Sequence, residues 1–326
     1  MRYPGSEKLE IIRTVEASHL PTRRALETIG IPSTTYHRWY DLWSEGGVDA
    51  LEDVAPCPRS VWNRIPDETR EAFIEFALEY EDLTPRELAV MYTDEKRYFI
   101  SESSAYRILK AEDLITAPRH IVIKAANEFK DKTTRINELW QTDFTYLKVI
   151  GWGWFYLSTI LDDYSRYIIA WKLYTTMKAK DVTETLDLAL EASGCESATV
   201  IAKPRLLSDN GSSYIAGDLA DYLEDKGMDH VRGAPFHPQT QGKIERWHQT
   251  MKNRVLLEHY FLPGDLEAQI DAFVEYYNNQ KYHESLGNLT PADVYFGRAE
   301  QIRRQREPIK QKTIEKRRLR HKTENA

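Results

Sequence analysis

Apolar positions in the first third of the chain recur at helical spacing. Leu9, Ile12 and Val15 predict a helix over residues 7–17, and Leu26 with Ile29 a second short one, opened by Pro21-Thr22 and broken by Gly30-Ile31-Pro32. Ser33 then reads as the N-cap of a third helix over 34–42. Tyr36, Trp39 and Tyr40 form its inward face, and Thr34, Thr35, His37 and Arg38 point outward. Helix, turn and helix within about 25 residues, with a Gly in the turn, is the spacing of a helix-turn-helix unit, whose last helix enters the DNA major groove. The same pattern also fits any three-helix bundle.

Turn-rich stretches at Glu45-Gly46-Gly47 and Pro56-Cys57-Pro58-Arg59 lead into a second helical unit, with helices over 67–80, 85–92 and 101–110. Thr84, Pro85 and Glu87 make a capping box with Pro at its favoured first position. A polar, basic segment follows, with Lys124, Lys130 and Lys132. From Leu139 the period switches to strands: 140–149, a Gly151-Trp152-Gly153 turn, 154–161 and 166–174. A helix (181–192), a strand (205–208), a helix (213–226), a strand (228–231) and a long helix (239–259) complete the run. Strands first and then alternating helix and strand predict an α/β fold with a mixed sheet covered by helices. Beyond it, Leu266, Ile270, Phe273, Val274 and Tyr277 have the spacing of a helix packed on that core, and Thr290-Pro291 with Asp293 starts a last capped helix.

The boundaries follow: a helix-turn-helix domain (1–55), a second helix-turn-helix-like domain (56–118), a linker (119–137), the mixed-sheet core (138–260), a helical extension (261–299) and a tail (300–326). The chain has 326 residues and a net charge of −7, yet the tail carries ten Lys/Arg against four Glu, a net of +6. The rest therefore sums to −13, and the tail reads as a solvated, flexible basic end. Two cysteines, Cys57 and Cys195, are too few for a disulfide framework or a Cys-rich zinc site and read as free thiols. No apolar run approaches the roughly 18 residues of a membrane span, and the N-terminus lacks a signal-peptide core, so a cytoplasmic protein without a membrane partner is expected.

Three acids are singled out by position: Asp143 inside an apolar strand, Asp209 at a strand end before Asn210-Gly211, and Glu245 on the long helix. On that helix Ile244, Trp247, Met251 and Val255 form the core stripe, which leaves Glu245, His248 and Lys252 on a second face about 100° around. Each acid alone reads as structural or solvated, and His248 as helix surface. Three converging carboxylates would repel one another unless Mg²⁺ or Mn²⁺ lay between them, the arrangement that two-metal phosphoryl transfer uses.

With these residues the chain resembles the DDE transposases of bacterial insertion sequences, single-reading-frame type, whose RNase H-like core is shared with retroviral integrases. Trp140-Gln141-Thr142-Asp143-Phe144-Thr145 resembles the first-Asp motif, Ser208-Asp209-Asn210-Gly211 the second, and the segment from His237 to Arg246 the third. The 35 residues between Asp209 and Glu245 match the family spacing, and Asp162-Asp163-Tyr164-Ser165-Arg166 and Tyr276-Tyr277-Asn278-Asn279 are similar to further family segments. The resemblance covers essentially the whole chain. It implies that Asp143, Asp209 and Glu245 hold two Mg²⁺ ions (Mn²⁺ as a substitute), that water cleaves a phosphodiester at the element's end, and that the freed 3′-OH attacks target DNA. Lys252 stands where the family places a Lys that meets the transposon end. Asn210, His237, Gln241 and Lys243, in the motif segments, are added as candidate DNA contacts, with 233–242 ordered by DNA. Double-stranded DNA, both transposon ends and target, a homodimer or higher homo-oligomer, and a bacterial, nucleoid-associated setting are implied as partners and place. Two features depart from relatives: there is no His-His-Cys-Cys zinc unit, and no leucine heptads precede the core. Asp162 and Asp163 read as turn residues, and Asn210 with Gly211 as shaping a turn. The competing readings are a DNA-binding repressor or domesticated element with an inactive core, and a nuclease acting on RNA–DNA hybrids.

Overall fold

The computed structural model describes residues 3–52, 61–115, 133–196, 203–232, 242–257 and 259–324. The chain divides into two compact units, Met1–Arg64 and Ile65–Ala326.

The first unit is all-helical: α1 (Gly5–Ala17), α2 (Thr22–Ile29) and α3 (Ser33–Gly46). Ile12, Val15, Leu26, Ile31, Tyr36, Trp39 and Leu51 close its core. Gly30, in the left-handed region at φ 77°, ends α2 and lets Ile31 turn back into that core, as the Gly-Ile-Pro break predicts. α3 starts one residue earlier than expected and runs four further. Pro32 is its N-cap and Ser33 makes no capping bond, because a proline before the helix already fixes the entry geometry.

The second unit begins with α4 (Asp67–Glu79), α5 (Pro85–Lys96) and α6 (Glu102–Ala111), packed around Phe73, Phe76, Leu88, Tyr92 and Ile108. The Thr84 capping box forms with both of its bonds. These helices fall in the same compact unit as the sheet and are tied to its far end. Glu87, capping α5 and buried, is ion-paired to Lys281, and Arg86 donates to Asn288 Oδ1 and the Tyr282 carbonyl. A buried carboxylate requires such a partner, and here the partner comes from the far end of the chain.

β1 (Leu139–Val149), β2 (Gly153–Asp162) and β3 (Ile168–Tyr174) form an antiparallel meander, and β4 (Arg205–Ser208) and β5 (His230–Arg232) add in parallel to give the order β3-β2-β1-β4-β5. One face carries Trp140, Ile160 and Leu206 against α7 (Ala179–Ser193) and α9 (Gly217–Asp225). The other carries Leu147, Val149 and Leu157 against α10 (Gly242–Val255) and α11 (Pro263–Asn279). The expected helix over 213–226 is broken at Ala216, which is extended, so α8 (Ser212–Ile215) precedes α9. Ser213 donates to the Met177 carbonyl and Tyr214 sits in the core, which fixes α8 independently of α9. α10 ends at Val255, four residues early, where Tyr260 turns inward and its hydroxyl donates to the Val255 carbonyl. Most of the linker expected over 119–137, residues 119–132, lies outside the described residues. Residues 133–137 belong to the core instead: Asn137 N–H donates to Asp162, and its side chain accepts from Trp140 and Tyr295.

α12 (Pro291–Tyr295) has the expected cap at Thr290. The tail is the largest departure, a 26-residue helix α13 (Ala299–Glu324). Arg306 makes a two-pronged ion pair with Asp94 on α5, at 2.8 and 2.6 Å, and Arg317 donates to the Tyr98 hydroxyl and the Phe99 carbonyl. Paired guanidinium–carboxylate bonds of this kind hold a polar helix that has no apolar stripe to dock it. Limited trypsin digestion is accordingly expected to spare 299–324 in the wild type and to release fragments from it in an Arg306→Ala variant. Equal cleavage of both proteins would return this segment to the status of a loose tail.

Candidate active site

Alternation along β1 sets the site. Trp140 and Phe144 face α7, whereas Gln141, Thr145, Leu147 and Val149 face α10 and α11, and Asp143 falls on this second face. β4 pairs with β1 only over Leu139–Gln141. Asp143 therefore lies just past the last parallel pair, and Asp209 just past Ser208, the last residue of β4. Asp209 thus stands at the C-terminal end of β4, where open α/β sheets bind ligands, and Asp143 lies mid-strand on the neighbouring β1 at the level where β4 stops.

Glu245 joins them from the first turn of α10. The Gln141 side chain accepts a bond from Ile244 N–H at 3.1 Å and donates to Asp163 Oδ1 at 2.7 Å, tying the start of α10 to β1. Asp209 Oδ1 accepts from Gly211 N–H at 2.9 Å. A Cβ at Gly211 would lie 3.0 Å from that same oxygen, so a side chain there would crowd the carboxylate.

Electrostatics couple the three acids. Partial desolvation, followed by the charge of Asp143, pushes Glu245 above the ordinary carboxylate range, and His248 pulls it partly back. The same two causes raise Asp209 against the bond from Gly211. Asp143 Oδ2 is met by His248 Nδ1 at 3.4 Å. His248 is buried, and its Nε2 has no hydrogen-bond partner among the described residues. As the side chains stand, no group of three or more His, Cys, Asp or Glu among the described residues is close enough to hold a metal ion.

An integrase core domain matches residues 133–238 and a second integrase core domain residues 226–291, so Asp143, Asp209 and Glu245 all fall within matched segments. Residues 133–291 are thus similar to an integrase core. A homeodomain-like domain matches residues 35–109, from α3 into α6. The chain is 27% identical over 166 residues to the transposase for insertion sequence element IS904 of Lactococcus lactis, covering 50% of this chain and 62% of that protein. It is 28% identical over 162 residues to the transposase for IS629 of Shigella sonnei, covering 49% and 52%. It thus spans between half and two thirds of the length of these curated relatives. Among solved structures it is similar to the HTLV-2 integrase catalytic core domain in complex with magnesium, 19% identical over 49% of this chain and 97% of that one, with a TM-score of 0.40.

Within the matched segment the predicted residues separate into those the fold brings together and those it does not. Asp143, Asp209 and Glu245 share one end of the sheet, and Asn210 is exposed beside Asp209. Lys252 lies two turns beyond Glu245 on α10, with its ammonium 4.5 Å from the Tyr146 ring centre. Lys243, an expected DNA contact, has partners within the protein. It is ion-paired to Asp163 at 2.5 Å, donates to the Asp163 carbonyl, and is held below the usual lysine range by burial and by Arg166. His237 and Gln241 lie outside the described residues. On α3 of the first unit Thr34, His37 and Arg38 are exposed, while Thr35 is half-buried.

Four residues of the site do more than their local sequence pattern shows. His248 is buried against Asp143 and is not helix surface. Asp162 and Asp163 sit at the β2–β3 turn as expected, and both are buried there, Asp162 accepting from Ser165 and Asn137, Asp163 from Gln141, Thr133 and Lys243. Gln141 is 1% exposed and links β1 to both α10 and the Asp163 turn. The signal for His248 was its place three residues after Glu245 on one helix face. For Gln141 it was a polar side chain at an inward position of an apolar strand.

Proposed function

We propose that this protein is a DNA transposase, binding the ends of an insertion sequence and cleaving and joining DNA strands at Asp143, Asp209 and Glu245. The supporting observation is that these acids lie close enough in the matched segment for partial desolvation, together with the charge of Asp143, to raise the pKa of Glu245 and Asp209. Hard carboxylate oxygens suit Mg²⁺ or Mn²⁺, and a divalent cation would relieve the repulsion among them. Two bound ions would be held by these three residues and would supply Lewis-acid stabilisation of the attacking and leaving oxygens.

The chain's own groups do the rest. The Gln141 bridge fixes the first turn of α10 and so aims Glu245 at the β1 end. His248 holds one oxygen of Asp143 and closes the floor beneath it. Gly211 shapes the turn that presents Asp209. Exposed Thr34, His37 and Arg38 on α3 would meet the duplex, and a dimer or larger assembly would bring two ends together in the bacterial cytoplasm, on the nucleoid.

The test supplies the protein in trans to a marker flanked by its own upstream and downstream DNA. Excision and reintegration are expected, with junction sequences revealing the ends. With purified protein, strand cleavage on those flanks is expected to vanish in EDTA and to return with Mg²⁺ or Mn²⁺. Cleavage that persists in EDTA would overturn the metal assignment, and flanks that are neither bound nor cut would overturn the substrate.

A further inference from the structure

Past Phe144 the α7-facing stripe of β1 runs out from under its covering helix. Tyr146 and Trp154, on the same face of the β1–β2 hairpin, are 59% and 51% exposed. Their rings meet edge to face at 5.5 Å, and Trp152 in the turn is open as well. Two cations sit on this pair: Lys252 over Tyr146 at 4.5 Å and Lys148 over Trp154 at 5.8 Å. Among the described residues neither lysine has a carboxylate within ion-pair distance, in a protein with seven more acidic than basic residues. Beyond Gln141 the adjoining edge of β1 has no strand partner among the described residues, so the patch is open on that side. It lies three residues along β1 from Asp143, about 10 Å, on the opposite face of the strand, and Lys252 of α10, the helix that carries Glu245, meets it at Tyr146.

We propose that this hairpin tip is a stacking site for unpaired nucleotides, holding a splayed DNA strand beside the reactive end. Large exposed aromatic rings with unpaired lysines are costly as ordinary surface and complementary to a base and its phosphate. Bases inside a duplex are already stacked on each other, so the platform favours single-stranded over double-stranded DNA. The aromatic faces make it tolerant of base identity, and Lys148 and Lys252 supply phosphate attraction that weakens with salt. The position beside the reaction rests on the reading of Asp143 and Glu245 as reactive groups; the binding itself does not.

The probe is an oligodeoxythymidine of about a dozen nucleotides carrying 5-bromodeoxyuridine, irradiated with the full-length protein and mapped by mass spectrometry, with affinity measured in parallel for the same oligonucleotide and for a blunt duplex. Cross-links to Tyr146 or Trp154 are expected. Tyr146→Ala with Trp154→Ala is expected to weaken the single strand about tenfold or more and to leave the blunt duplex unchanged, while Tyr146→Phe retains binding. Unchanged single-strand affinity in the double variant, or cross-links confined to other segments, would overturn the proposal. So would a double variant that alters only the sedimentation of the protein, which would assign the face to contact between copies. Running the Glu245→Gln protein alongside keeps the questions separate: cross-linking that persists without cleavage supports the platform whatever the reaction requires.

Discussion

Glu245→Gln is expected to lower strand cleavage and strand transfer by about a thousandfold or more while leaving end binding intact, the scale on which removal of one transition-state charge contact acts. Gln keeps the shape and loses the charge, so it removes an oxygen ligand of full negative charge without disturbing α10. Stability should move the other way. Desolvation and Asp143 raise the folded-state pKa of Glu245 above its ordinary value of 4.5. Between the ordinary and raised values the folded protein binds more protons than the unfolded chain, so stability falls as pH rises through that window and stays reduced above it. The Gln variant lacks this penalty. Its melting temperature at neutral pH should equal or exceed that of the wild type, with the difference gone below the ordinary Glu value. A variant that loses activity and melts lower would show that Glu245 serves the fold. Retained recombination would remove it from the chemistry altogether.

The elements that carry Asp143, Asp209 and Glu245 were legible because each depends on a local pattern. Alternation over 140–149 fixes β1, a short apolar run before Asp-Asn-Gly fixes the end of β4, and the 3-4-4 spacing of Ile244, Trp247, Met251 and Val255 fixes the inward face of α10. The capping boxes at Thr84 and Thr290 were legible for the same reason, as three-residue signals with their own hydrogen bonds. What a local pattern leaves out is the partner elsewhere in the chain. Nothing local to Lys243 says that Asp163, 80 residues earlier, lies within 2.5 Å. Residues 300–326 carry helix formers and charges with no apolar face, which reads as a tail until Asp94 and the Tyr98–Phe99 turn supply partners for Arg306 and Arg317. Sequence periodicity ranks faces by polarity, and it cannot tell a polar face that meets water from one that meets an acid elsewhere in the chain.

Lys243→Met puts that distinction to a measurement. Asp163 is 4% exposed, and Lys243 is the only lysine or arginine whose side chain meets its carboxylate among the ion pairs of the described residues. Removing the ammonium is expected to cost about 2–3 kcal/mol, at the low side for a broken buried pair because a third of the lysine side chain is open to water. That corresponds to a fall in melting temperature of roughly 5–10 °C. Gln141 shares Asp163 with Lys243 and also holds Ile244 N–H, so the first turn of α10 should loosen and cleavage should fall with stability. Adding Asp163→Asn to Lys243→Met is expected to recover much of the lost stability, since it removes the stranded charge, and this coupling is what a double-mutant cycle reads. A lysine that served as a phosphate contact would behave in the opposite way. Its loss would leave the melting temperature unchanged and reduce the salt slope of DNA binding by about one, and Asp163→Asn would recover nothing.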